Sequence, residues 1–133
     1  MPFTFDVARV VPASPDAAWD LITDTTRWAD WSPTVAAVEC DDRHVVSGSE
    51  GRVQTRLGLW VGFVVTDFEP GQLWRWKVSG VPATGHRVEP VGTGRDPGTA
   101  KVAIEVPVWA APYAGVSARA LRRFGRLVVT AAG

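Results

Sequence analysis

The strongest constraint on this chain is the order of its hydrophobic periodicities. From Gly51 to Trp109 apolar residues recur every second position in short runs broken by Gly- and Pro-containing turns. After Pro112 the period changes once, to that of a helix. A period of two describes half-buried strands, and strands that close together in sequence pair as an antiparallel meander. A sheet with one apolar face must be covered, and the terminal helix is the only element long enough to do it. The expected fold is therefore α+β: a curved antiparallel sheet gripping a long C-terminal helix.

The individual segments support this layout. Residues Phe3 to Val11 read as a strand, stopped by Pro12. Ser14-Pro15-Asp16 is a helix start: the serine hydroxyl accepts from free backbone N–H groups, proline fits the first helical position, and the aspartate favours the positive end of the dipole. The helix carries Ala18, Trp19, Leu21 and Ile22 and fades at Thr23 to Thr26. Trp28 and Trp31, three apart before Pro33, share one face of a short helical turn. Two short helices thus separate the first strand from the second, at Val35 to Glu39. Later strands are expected at 52–57, 59–68, 73–78, 85–91 and 99–109, with a glycine-rich turn from Gly92 to Gly98. In Leu73-Trp74-Arg75-Trp76-Lys77-Val78 both tryptophans and Val78 face one way, and Arg75 and Lys77 the other. On the last helix Tyr113, Val116, Ala120, Leu121, Phe124, Leu127 and Val128 form an apolar face. Arg119, Arg122, Arg123 and Arg126 form a second stripe, expected to be solvated.

Seven tryptophans in 133 residues are the compositional anomaly. Each aromatic side chain buries about 150–250 Å², and so many large rigid groups crowd a small close-packed core. They suit the walls of a pocket, although plain packing explains several equally well. Hydrophobic residues are 46% and charged residues 21%, so the chain has the means to order. The length gives room for one domain, 1–133. Fourteen basic residues balance fourteen acidic ones, which disfavours nucleic acid as a partner, because phosphate neutralisation supplies most of that affinity. The longest nearly apolar run, Gly58 to Val65, is too short for a membrane span, and residues 1–6 do not read as a secretory signal, so a cytoplasmic location is expected. Cys40 has no second cysteine to pair with. It, His44 and His86 form no metal-ligand pattern, and neither a phosphate-binding loop nor a nucleophile elbow is present. No metal and no cofactor is expected, and the oligomeric state is not readable.

The chain resembles the START-related helix-grip superfamily, in its polyketide cyclase/dehydrase-like branch. The likeness rests on Val11-Pro12-Ala13-Ser14-Pro15, on Ala18-Trp19-Asp20-Leu21-Ile22, and on Trp28, Trp31 and Pro33. It continues through Val65-Thr66-Asp67-Phe68-Glu69-Pro70-Gly71 leading to Leu73-Trp74, and through His86-Arg87-Val88-Glu89-Pro90 with the turn and Thr99 behind it. The resemblance implies a deep cavity between sheet and helix, used across the superfamily for lipids, polyketides, sterols and other apolar molecules. It does not imply one activity. Here the final helix and the strand at His86 read as short, which would shrink or open such a cavity.

On this basis the expected ligand-contacting residues are Trp28, Trp31, Trp60, Phe68, Trp74, Trp76, His86, Trp109 and Tyr113. Trp60 and Phe68 are placed inward because they share a phase with Val64. Trp109 and Tyr113 fall near the mouth. The leading reading is a protein that binds a small hydrophobic molecule. A second is a cofactor-independent polyketide cyclase, aromatase or dehydratase. Its chemistry needs a base to remove a proton alpha to a carbonyl and a donor for the enolate; His86, whose ordinary pKa is near neutrality, with Tyr113 or an inward Arg56, would supply them. A third is a protein-interaction module.

Overall fold

The structure, a computed structural model, describes residues 4–91 and 98–132, without the side chains of Trp109, Ala111, Tyr113 and residues 130–132. Strand β1 (Thr4–Val11) leads into helix α1 (Pro15–Thr23). Ser14 caps α1 by accepting from the Ala17 N–H, and Pro15 occupies its first turn. One 3-10 turn (Thr25–Arg27) and helix α2 (Trp28–Trp31) follow. Strands β2 (Val35–Cys40), β3 (Glu50–Thr55), β4 (Trp60–Glu69), β5 (Leu73–Val78), β6 (Val81–Pro90) and β7 (Ala100–Pro107) then form the meander. A further 3-10 segment (Val108–Tyr113) leads into helix α3 (Ala114–Ala132). The part of the expected Gly92 to Gly98 turn at 92–97 lies outside the described residues, as does Phe3 of the first strand.

All seven strands pair antiparallel in one sheet, in the order β1-β7-β6-β5-β4-β3-β2. α3 crosses its inner face. Ser117, Ala120, Leu121, Phe124 and Val128 are buried at helical spacing, while Arg119, Arg122, Arg123 and Arg126 are exposed. Register shifts mark three places: β4 between Val65 and Asp67, β2 between Val35 and Ala37, and the β5–β6 pair between Arg75 and Lys77. Each such irregularity bends the sheet and increases its local twist, which helps it curve around α3.

Three expectations need correction here. The strand at His86 is not short: β6 runs ten residues, because Ser79 and Gly80, both with positive φ, turn the chain tightly between Val78 and Val81. Trp60 does not point inward. The β4 bulge inserts Thr66, so the phase reverses along the strand: Phe63 and Val65 are buried before the bulge, and Phe68 faces inward after it. Trp60 is 37% exposed on the outer face, with the Arg52 guanidinium 4.5 Å above its ring. Arg56 lies beyond the end of β3, exposed, and donates from Nε to the Pro33 carbonyl at 3.1 Å.

The outer face carries a charge ladder that crosses β4, β5, β6, β7 and β1. Arg75 bridges Asp67 and Glu105, and Arg87 bridges Glu105, Asp6 and Glu89. Burial pushes the Glu105 carboxyl up, but hydrogen bonds from both arginines outweigh this and hold it below the ordinary carboxylate value. That carboxylate lies directly over Gly85, its register partner on β6, in the space a Cβ would need. Gly85→Ala is therefore expected to displace Glu105 and lower the unfolding free energy by roughly 1–3 kcal/mol, read from the shift of a urea midpoint. Gly62, also on the outer side, has only one distant contact, with the Gly51 carbonyl; Gly62→Ala is the control, without that clash.

Candidate ligand-binding site

Between the sheet and α3 the packing is solid at one end and hollow at the other. Ile22, Phe63, Val65, Val88, Phe124 and Val128 belong to the packed core and do not line the hollow. A cavity of about 320 Å³ occupies the rest. At roughly 30 Å³ per water it is the space of about ten waters, or of a small fused-ring aromatic, and it falls at the lower end of the range for small-molecule sites. α2 and the segment after it contribute Trp28, Trp31, Ser32, Thr34 and Val35. The sheet contributes Val53, Thr55, Val61, Trp74, Trp76, Val78, Ala83, Thr84, His86, Ile104 and Pro107. Ala110, Val116, Ser117 and Ala120 complete the wall from the last helix and its approach.

Exposure along the lining rises toward one end. Trp28, Trp74, His86 and Ile104 are buried, whereas Ser32, Thr55, Val78 and Ala110 are half-buried and Thr34 is exposed. At that end β3 turns into β4 and β5 into β6, and β7 gives way to the approach to α3. The segments that frame it, 31–35, 55–60, 78–84 and 107–115, contain one charged residue, Arg56. An uncharged guest meets little electrostatic or desolvation penalty on that route.

Among the described residues four tryptophans line the cavity, and three of them also pack on one another. Trp74 stacks on Trp28 with centroids 5.2 Å apart and on His86 at 3.8 Å. Trp76 presents its edge to Trp28 and Trp74, each at 5.5 Å. Such pairs hold rings rigidly in place. Trp31 meets Phe124 of α3 edge-on at 5.5 Å and so ties α2 to the closing helix. Trp19 packs against Phe68 at 5.8 Å, outside the cavity. Phe68 thus faces inward without lining the hollow. The side chains of Trp109 and Tyr113 lie outside the described residues.

His86 is buried, and its surroundings set both of its nitrogens. Nδ1 lies 3.4 Å from the Trp74 carbonyl, which can only accept, so Nδ1 carries the proton. Nε2 is then an acceptor, 3.1 Å from the Thr84 hydroxyl, which itself accepts from Trp76 Nε1–H at 3.1 Å. Burial pushes the imidazole down to about 3, against weaker upward pulls from the Trp74 carbonyl and Glu105. The group expected to move protons near neutral pH is thus a neutral wall residue with both nitrogens engaged. Arg56, proposed as its partner, is outside the cavity. Among the described residues no cluster of His, Cys, Asp and Glu is placed to hold a metal ion.

Several lining residues escaped sequence reasoning. Thr84 falls before the expected strand at 85–91 and within the observed β6. Ser117 is polar within an apolar helical face, and its position three before Ala120 and four before Leu121 was the available signal. Val53, Val61 and Ile104 are ordinary strand residues; only the closure of the sheet over the helix distinguishes them.

Comparison with known proteins agrees with this architecture. The family model described as polyketide cyclase/dehydrase and lipid transport matches residues 2–132. No curated protein matches the sequence. Among solved structures, the protein XoxI from Bacillus cereus superposes with a TM-score of 0.72 at 14% identity, over 98% of this chain and 99% of that one. The Zhui aromatase/cyclase from Streptomyces sp. R1128 gives 0.69 at 11% identity, over 94% and 92%. A START superfamily protein from Mycobacterium smegmatis gives 0.68 at 13% identity, over 95% and 99%. At these identities the likeness is one of fold. Among the described residues no helix is long and apolar enough to cross a membrane.

Proposed function

The chain belongs to the polyketide cyclase/dehydrase and lipid transport family, and from that premise we propose that it binds a small, uncharged, apolar molecule between the sheet and α3. The observation that carries this reading is the chemistry of the lining. Among the described residues around the cavity, none is a carboxylate, an ammonium or a guanidinium. Its one imidazole is held neutral. A charged guest would lose its hydration and find no counter-ion, which costs several kcal/mol. An uncharged one gains the burial of its apolar surface at about 25 cal/mol/Å².

The same lining bears on the cyclase reading. Proton transfer alpha to a carbonyl calls for a base poised near the working pH, and His86 is too weak a base for it. Binding and release without a chemical step is the function that this wall supports best.

The test is calorimetric titration with two matched probes, fluorene and 9-fluorenecarboxylate. Fluorene is expected to bind at least tenfold more tightly than the carboxylate. Ala120→Trp, which puts an indole into the hollow, is expected to abolish fluorene binding while the chain stays folded by circular dichroism. Undiminished binding to the folded variant, or no binding of fluorene to the native chain, would refute the reading.

A further inference from the structure

Charge is segregated along this chain. Residues 106–133 hold four arginines and no acid, so the first 105 residues carry ten basic residues against fourteen acidic ones. Arg119, Arg122, Arg123 and Arg126 are exposed on the side of α3 opposite its buried residues. Elsewhere Arg27, Arg43, Arg52, Arg75 and Arg87 each pair with a carboxylate. Among the described residues, Arg119, Arg122 and Arg123 pair with none. Arg119 with Arg123, and Arg122 with Arg126, are like charges four residues apart, an arrangement that weakens a helix. The stripe thus works against the stability of α3.

A second feature lies at the end of the fold where α3 begins. Leu57 and Leu59, at the turn between β3 and β4, are 88% and 62% exposed. Val81 at the start of β6 and Val108 after β7 are 49% and 53% exposed. A single exposed apolar residue needs no explanation. These four stand on three of the segments that frame the opening of the cavity, where Arg56 is the one charge.

We infer that this end of the molecule docks on an anionic membrane surface, with Leu57, Leu59, Val81 and Val108 entering the interface and the arginines of α3 drawn to the lipid phosphates. A nucleic acid offers phosphates but nothing for the four apolar side chains, whereas a bilayer offers both within one surface layer. Side chains that project from turns enter a fluid interface without a matched pocket, and an apolar and a cationic signal together suffice for peripheral binding. The balanced total charge does not oppose it, because salt screens charges more than about 8–10 Å away. The inference rests on the binding function proposed above for its purpose, since an uncharged apolar guest concentrates in bilayers, but not for the contact itself.

The experiment is sedimentation of the full chain with vesicles of equal parts phosphatidylglycerol and phosphatidylcholine, at low ionic strength and without any guest. Each arginine near an anionic leaflet is expected to raise affinity about fivefold. Arg119→Gln, Arg122→Gln and Arg123→Gln combined should therefore weaken binding about a hundredfold. Its urea midpoint should be equal to or above that of the native chain, because the like charges are gone and glutamine suits a helix nearly as well. Leu57→Ser with Leu59→Ser should weaken binding about tenfold. Lys77→Gln with Lys101→Gln, on the outer face of the sheet, should change it by less than about twofold. Vesicles of phosphatidylcholine alone, or added salt, should abolish most of the binding. No sedimentation with the anionic vesicles, equal sedimentation with neutral ones, or affinity that survives either the arginine or the leucine variant would overturn the inference. So would a DNA duplex that binds as tightly as the vesicles. Because no guest is present, each of these failures leaves the binding function to be decided by calorimetry.

Discussion

Lowering the pH from 7 to 4.5 is expected to remove about 2.5 kcal/mol of stability through His86 alone. In the unfolded chain a histidine titrates near 6.5, whereas burial holds His86 at about 3 in the fold. Below pH 6.5 the unfolded state binds a proton that the folded state refuses, so stability falls with pH until both forms are protonated. At 1.36 kcal/mol per pH unit the loss reaches about 4–5 kcal/mol by pH 3. The carboxylates act in a lower window. Hydrogen bonding to Arg87 holds Asp6 below its ordinary value, and the arginine pairs of Glu105 outweigh its burial. Their contribution is present above the ordinary carboxylate range and is lost progressively as pH falls from that range through their lowered values. Urea unfolding between pH 7 and 4.5, measured on the native chain and on His86→Gln, isolates this histidine by difference. His86→Gln should flatten the profile in that interval, whatever its effect on stability at pH 7. A profile equally steep in the variant would mean that His86 titrates normally and is not sealed in the wall.

Trp74→Ala is expected to lower the unfolding free energy by about 3–5 kcal/mol. The indole is 1% exposed. It sits on a central strand and stacks on both Trp28 and His86. Neither neighbour can follow it inward: Trp28 is tethered by its hydrogen bond to Ile22, and His86 by those to Thr84 and the Trp74 backbone. The site cannot collapse, which places the cost in the upper part of the range for large-to-small changes. Trp60→Ala is the counterpart on the outer face, where the Arg52 contact contributes about 0.5–1 kcal/mol. Denaturant midpoints for the two variants measure the contrast. Similar losses for both would contradict the assignment of the two tryptophans to opposite faces.

The contrast also shows how far the sequence was legible. Residues 73–78 contain an unbroken period of two, and the structure orients Trp74, Trp76 and Val78 as that pattern reads. Ser14-Pro15 marks the start of α1 because capping is a local event, decided by groups within a single turn. Trp28 and Trp31 share a face because one helical turn leaves them no alternative. Local rules failed where a distant partner decides the geometry. The β4 bulge exists only in relation to β5, and nothing within Leu59 to Phe68 shows where the phase reverses. Trp60 lies on the outer face for that reason, although it shares a period of two with Phe68. Ser79-Gly80 has the residue types of a tight hairpin, but Gly85 a few residues later offers an equally plausible strand start, and only the pairing of β5 with β6 decides between them. Arg56 was one residue too far along β3 to keep the direction of a strand residue.

The chemistry of the site was less legible than its shape. Sequence can show that His86 shares a phase with Val88, yet whether it is ionised depends on Thr84, Trp74 and the burial imposed by the packed fold. Trp31 and Ser117 line one cavity only because α3 returns over α2, more than eighty residues later in the chain. The outer ladder from Asp67 to Asp6 also joins residues far apart in sequence, and only the strand order brings them side by side.

Crystals of the protein exposed to iodobenzene offer the most direct measurement, because the anomalous signal of iodine locates the guest without reference to the protein coordinates. The expected result is a peak bounded by Trp28, Trp74, Trp76 and Ala120, with those side chains close to the positions described above. Iodine confined to the surface, with Val53 and Ile104 meeting α3 across a filled interior, would contradict the account.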